Sequence, residues 1–183
     1  MKKVAIITGS TRGIGKHIAL TLAKNGYNIA VTGKSVKSEK KLPGNIYSVS
    51  DEIKDLGADA IPIKLDVRNE EEIEKCVRET YNKWGRIDVL INNAGALWWN
   101  SIEDTPAKKY DLINSVNSRG SFLMAKETIP FMKKNTGGHI INFSPPIVPI
   151  INQGYMPLKN KTAYMISKLG MTLGMLEIGR AHV

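Results

Sequence analysis

The chain is short of the residues that build several kinds of site. It holds one cysteine, Cys76, and three histidines, His17, His139 and His182, scattered along 183 residues. An intrachain disulfide is therefore excluded, a cysteine-rich zinc knuckle is excluded, and the histidines do not suggest a metal centre. Such cysteine usage suits a reducing compartment such as the cytoplasm. Long apolar runs are also lacking: the longest near the start is Val4 to Ile7, far below the roughly 20 residues that cross a bilayer. Neither a membrane span nor a secretory leader is expected. Acidic residues are outnumbered, 17 against 26 basic, for a net charge of +9. That excess attracts an anion, whether a nucleotide, a nucleic acid or an acidic lipid. Nucleic acid ranks last, since no recognition motif or basic aromatic stripe accompanies the charge.

What is present is ordinary for a globular domain, with 42% apolar and 23% charged residues, and residues 1–183 are expected to form a single domain. Short apolar runs alternate with longer amphipathic ones, the pattern of a parallel sheet covered by helices. Strands are expected at Val4 to Thr8, Asn28 to Thr32, Ala60 to Leu65, Ile87 to Ile91 and His139 to Phe143. Helices are expected at Gly13 to Asn25, Tyr47 to Leu56, Asn69 to Trp84, Pro106 to Lys134 with a break near Asn117 to Gly120, and Asn160 to Gly179. Helix stops fall at Asn25-Gly26, Leu56-Gly57, Trp84-Gly85 and Gly137-Gly138. The result is an α/β class, Rossmann-like, doubly wound parallel sheet in three α/β/α layers. Five strands would leave the last one an unprotected edge, so the final strands are expected to be missing and the sequence to be a fragment.

The strongest local signal is Thr8-Gly9-Ser10-Thr11-Arg12-Gly13-Ile14-Gly15 between the first strand and the first helix. A glycine-lined turn there lets backbone amides approach a pyrophosphate at the positive end of the helix. The spacing Gly-x-x-x-Gly-x-Gly is neither the usual dinucleotide fingerprint nor the nucleoside triphosphate loop. At the end of the second strand the chain reads Gly33-Lys34-Ser35, with no carboxylate to accept from a free ribose 2′-hydroxyl. Arg12 and Lys34 suit a 2′-phosphate instead, which favours NADP(H) over NAD(H), the latter kept as the alternative.

These residues, followed in order by Asn92-Asn93-Ala94-Gly95 and Tyr164-x-x-x-Lys168, resemble the short-chain dehydrogenase/reductase family. Lys41 to Tyr47 and Ser144-Pro145-Pro146 look like its hydroxysteroid dehydrogenase-like branch. The resemblance implies coenzyme contacts from Gly9, Ser10, Arg12, Gly13, Ile14 and Gly15, and from Lys34. It further implies them from Asp66 and Val67, from Asn93, Ala94 and Gly95, and from Tyr164 and Lys168. Asp66 would meet the adenine amino group, with a helix cap before Asn69 as the competing explanation. It implies catalysis by Tyr164, whose phenol exchanges a proton, with Lys168 on the same helix face stabilising the phenolate. Asn117 would anchor a proton-conducting water. The family pattern Asn-x-Ser-Ser reads Asn142-Phe143-Ser144-Pro145 here, so proline stands where a carbonyl-polarising hydroxyl belongs and Ser144 is the substitute.

The expected activity is hydride transfer between a nicotinamide and a carbonyl or secondary alcohol, lipid-like if the branch resemblance holds. The rival is a noncatalytic NADP(H)-binding sensor or scaffold, for which Pro145 is the argument. Pro146, Pro149 and Pro157 argue for a rigid loop carrying substrate specificity. Trp98 and Trp99 are candidates for a substrate wall or for plain packing, and Met165, Met171 and Met175 for an oligomer interface or core. A homo-oligomer is expected for the full-length protein, and the branch adds peroxisome and mitochondrion as alternative compartments.

Overall fold

The computed structural model describes residues 1–37, 44–135, 137–144 and 160–180. They fall into two compact units, Met1–Ala94 with Leu123–Ile141, and Gly95–Phe122 with Asn142–Val183. The sheet consists of β1 (Val4–Ile7), β2 (Asn28–Gly33), β3 (Ala60–Lys64), β4 (Val89–Asn92) and β5 (His139–Asn142), in the order β3-β2-β1-β4-β5. The registers of β1 with β2, β1 with β4 and β2 with β3 are all parallel, so each connection is a crossover.

In the first unit, apolar residues fill both faces of the central strands. Val4, Ala5, Ile6 and Ile7 are all fully buried, as β1 must be when helices cover it from both sides. One face joins Ala5, Ile7, Ile29, Val31, Val89 and Ile91 to Ala19 and Ala23 of α1 (Gly13–Lys24) and to Ile46, Val49 and Ile53 of α2 (Ile46–Asp55). The two alanines of α1 let its backbone lie close to the strands. A buried stripe of Ile73, Cys76, Val77 and Thr80 runs along α3 (Glu70–Trp84), the spacing of one helical face. Cys76 is packing, not chemistry: burial pushes its thiol up to about 12, which keeps it protonated and inert.

Helix ends follow local rules. Asn45 caps α2 in a reciprocal box with Ser48, and Asn69 caps α3 by accepting from Glu72 N–H at 3.0 Å. Gly26, Gly57, Gly85 and Gly137, at the expected helix stops, all take positive φ. Asp88 ties the start of the sheet together, accepting from Val4 N–H at 2.7 Å while Arg86 grips it with two hydrogen bonds.

The second unit is helical, with α4 (Ala107–Asn114), a π-turn at Ser115–Arg119 that continues into α5 (Gly120–Lys134), and α6 (Thr162–Arg180). The expected break near Asn117 to Gly120 is a correction: the helix runs on without stopping. An extra residue is absorbed by the wider turn, as happens at π-bulges. From Leu123 onward α5 belongs to the first unit, where the Phe131 and Tyr81 rings pack with centroids 4.7 Å apart. Strand bounds differ from expectation by one or two residues, most at β4, which begins at Val89 and not Ile87. The proline loop, with Pro145, Pro146, Pro149 and Pro157, lies outside the described residues, as does most of Lys37 to Lys41.

Candidate active site

The glycine turn is held from behind by β4. Asn93 Nδ2 donates to Thr8 O at 2.9 Å and to Gly9 O at 3.0 Å, fixing the turn where its φ becomes positive at Gly9. Thr8 Oγ1 accepts from the N–H groups of Asn93 and Ala94, at 3.0 and 2.9 Å. Space is the second constraint. A Cβ at Gly15 would lie 2.5 Å from Gly9 O and would also collide with Asn93 Nδ2. Gly15→Ala is therefore expected to destabilise the fold by about 2 to 4 kcal/mol, through overpacking and a broken clamp. Chemical denaturation of the variant beside the parent measures it, and a loss under 0.5 kcal/mol, about the size of a neutral surface change, counts against this close approach.

The N-terminus of α1 is open to an anion. Its N-cap residue, Arg12, makes no side-chain capping hydrogen bond, and its first turn carries no acidic residue. Gly13 and Ile14 lead this turn, Ile14 with its side chain exposed. Ser10 is placed differently, fully buried and committed to β2: its Oγ accepts from Thr32 N–H at 2.9 Å. Arg12 reaches Ser35 at the end of β2, donating to its Oγ at 2.7 Å. The Arg12 Nε is buried and has no hydrogen-bond partner, an orphaned donor beside an uncapped helix, which fits a negatively charged ligand.

Lys34 also stands at the end of β2, with its ammonium 3.8 Å from Asp66 Oδ2. Asp66 follows β3 and does not cap α3, since Asn69 does. Instead it accepts from Arg68 Nε at 3.0 Å and from the Arg68 N–H at 3.1 Å. The Arg68 hydrogen bonds, with the charge of Lys34, hold its carboxyl below the usual range despite partial burial. Val67 is buried next to it. The coenzyme-contact candidates Gly9, Ser10, Arg12, Gly13, Ile14, Gly15, Lys34, Asp66, Val67, Asn93 and Ala94 belong to the first unit, while Gly95 begins the second.

In the second unit, α6 carries Tyr164 and Lys168 one turn apart, with the Lys168 ammonium 5.9 Å from the tyrosine ring centroid. Burial raises the Tyr164 phenol and lowers the Lys168 ammonium. Lys168 is only 7% exposed, which makes its charge strong toward any neighbour.

The π-turn sets Asn117 against this helix. Fully buried, Asn117 accepts from Ala96 N–H at 2.9 Å and donates to Ala96 O and to Ser167 Oγ, both at 2.9 Å. Ser167 Oγ in turn donates to Tyr164 O at 2.7 Å. The carboxamide is thereby committed to positioning α6. Ser144 sits against the same helix, its hydroxyl donating to Lys168 O at 3.1 Å and paired with Thr172 Oγ1. Trp98 has a buried indole N–H without a partner and Lys109 over its ring, while Trp99 is exposed beneath Lys161. Thr8, Ser35, Arg68 and Ser167 were not singled out from sequence. Thr8 opens the glycine motif and Arg68 sits two residues from Asp66, but hydroxyls at Ser35 and Ser167 carry no pattern that marks them.

Comparison with known proteins identifies the family. A family profile described as short chain dehydrogenase matches residues 3–180. Hydroxysteroid dehydrogenase-like protein 2 of Bos taurus is 45% identical over 174 residues, 93% of this chain and 41% of that protein. The chain thus spans about two fifths of the length of such relatives. A short chain dehydrogenase structure from Mycobacterium thermoresistibile superposes with a TM-score of 0.89 at 38% identity, covering 98% of this chain and 62% of that one. A metagenomic short-chain oxidoreductase in complex with NADP gives a TM-score of 0.83 at 29% identity, covering 98% and 76%. With the ordered motifs, the crossover sheet and a profile match over nearly the whole length in agreement, the chain belongs to the short-chain dehydrogenase family.

Proposed function

We propose that the protein is an NADP(H)-dependent oxidoreductase that interconverts a carbonyl and a secondary alcohol, with lipid-like compounds as its substrate class. The observation that carries this reading is the pairing of Tyr164 with a buried Lys168 on α6, braced through Ser167 by Asn117. When bound, the nicotinamide supplies the hydride to the carbonyl carbon or takes it from the alcohol carbon.

The chain's own residues do the rest. The amides of Gly13, Ile14 and Gly15 bind the diphosphate, in a turn that Asn93 holds open. Arg12 and Lys34 take the 2′-phosphate, Asp66 accepts from the adenine amino group, and Val67, Ala94 and Gly95 flank the adenosine. The relative crystallised with NADP supports this choice of coenzyme. In reduction, the Tyr164 hydroxyl gives its proton to the carbonyl oxygen; in oxidation the phenolate takes it back. Lys168 lowers the cost of that phenolate and holds the nicotinamide ribose hydroxyls. With its carboxamide committed to Ala96 and Ser167, Asn117 anchors the water that returns the proton through its main-chain carbonyl, and Ser144 polarises the carbonyl once its hydroxyl turns from Thr172. The whole protein acts as a homo-oligomer. Its compartment is the cytoplasm, or the peroxisome or mitochondrion as the branch resemblance allows. No described helix is long and apolar enough to cross a membrane.

One observation favours a second reading. The Ser144 hydroxyl is occupied by α6, and Pro145 stands where the family places another, so a noncatalytic NADP(H) sensor is the alternative. Fluorescence titration of the intact protein with NADPH and NADH, followed by a panel of ketones and aldehydes, separates the two. The expected outcome is NADPH binding about tenfold or more tighter than NADH, a gap of about 1.4 kcal/mol, with oxidation of NADPH by at least one ketone. Tight binding without turnover selects the sensor; failure of both coenzymes to bind removes both readings.

A further inference from the structure

The ends of β2 and β3 hold more charge than a 2′-phosphate subsite needs, and its arrangement is informative. Lys34 is 64% exposed, and among the described residues its ion-pair partner is Asp66, at 3.8 Å. Asp66 is the more enclosed partner, 21% exposed. Left with Lys34 alone, it would neutralise the lysine and present its own negative charge to any incoming phosphate. The guanidinium of Arg68 alters this balance. It spans both carboxylate oxygens, with Nε at 3.0 Å from Oδ1 and 3.1 Å from Oδ2, and Nη2 at 2.5 Å from Oδ2, the oxygen that also faces Lys34. A forked contact of this kind is the geometry in which arginine binds a carboxylate most strongly. The other acid nearby, Glu72, accepts from Asp66 N–H at 2.6 Å and is matched by Lys64 at 3.2 Å. Arg12, on the far side of Ser35, adds a second cation facing no carboxylate in the ion pairs of the described residues.

We propose that Arg68 is a positioning residue for coenzyme selection: by gripping Asp66 it leaves the Lys34 ammonium uncompensated, and hence available to a coenzyme's 2′-phosphate. This rests on the NADP(H) reading above. Arg68 itself touches no phosphate in this scheme; it acts through Asp66 on Lys34. Because NADH lacks the 2′-phosphate, its affinity does not depend on whether Lys34 is neutralised. The adenine contact of Asp66 is common to both coenzymes and cancels in their ratio.

The test measures NADPH and NADH dissociation constants by fluorescence for the intact protein, Arg68→Gln, Arg68→Lys and the double variant Arg68→Gln with Asp66→Asn. Arg68→Gln is expected to reduce the preference for NADPH about tenfold, with NADH affinity within about twofold of the parent, the size of one screened charge contact near a surface. Arg68→Lys keeps the charge and retains most of the preference. In the double variant the liberated negative charge is gone, so the preference returns to within about threefold of the parent. Equal weakening of both coenzymes by Arg68→Gln overturns the proposal in favour of a purely structural role, as does an unchanged ratio in a parent that prefers NADPH. A parent with no preference for NADPH overturns it together with the coenzyme reading on which it rests.

Discussion

Replacing Tyr164 with phenylalanine is expected to leave NADPH affinity within about twofold while lowering kcat about 10²- to 10⁴-fold, the range that a single positioned acid or base supplies. The substitution keeps the ring, which is half-buried on α6, and removes only the hydroxyl. Its environment by itself is wrong for the task, because burial raises the phenol above its ordinary value. A group that holds its proton so firmly serves as an acid or base near neutrality only when a cation stabilises the anion. Lys168, whose ammonium lies 5.9 Å from the ring centroid, is that cation within the same helix. A melting temperature within about 2 °C of the parent shows that the variant is folded, since such a shift corresponds to less than about 1 kcal/mol in a chain of this size. Turnover within tenfold of the parent in a folded, coenzyme-binding variant would remove Tyr164 from the chemistry.

How much of this was legible in the sequence depends on the range over which each interaction acts. The helix stops at Gly26, Gly57 and Gly85 were plain because left-handed backbone is a local demand that glycine meets alone. The strands were plain because Val4 to Ile7 and Asn28 to Thr32 are short apolar runs between polar helices, and burial on both faces permits such runs. The π-turn was not. Asn117 beside Ser118 and Gly120 has the composition of a helix break, and only the three hydrogen bonds of its carboxamide to Ala96 and Ser167 reveal why the helix tolerates the extra residue. Those partners lie 21 and 50 positions away. The glycine motif similarly announced an anion-binding turn without showing that Asn93, 84 positions from Gly9, holds it in place. Asp66 was placed beside the coenzyme by family resemblance alone. Its grip by Arg68 is local in sequence, yet a surface arginine two residues from an aspartate has no pattern that separates it from ordinary solvated charge.

Lys168→Met is expected to show opposite effects on stability and activity. A methionine fills nearly the same volume without a charge, so the coenzyme-free protein should gain about 1 kcal/mol and melt about 2 to 4 °C higher, because an ammonium 7% exposed no longer has to be buried. Turnover should fall about 10³-fold or more, since the phenolate of Tyr164 loses its cation. The pH dependence follows from the direction of the shift. Burial lowers the Lys168 ammonium in the folded protein, so the unfolded chain binds the more protons between that lowered value and the ordinary lysine value near 10.4. The parent's penalty is complete below the lowered value and is relieved as the pH rises through that window. The stability advantage of the methionine variant is therefore largest at neutral and lower pH and shrinks on the alkaline side. A series of thermal melts of both proteins from about pH 7 up to the ordinary lysine value near 10.4 measures it directly. A variant less stable than the parent at neutral pH would mean that Lys168 holds the fold together, and that its burial is not a strain maintained for the sake of the reaction.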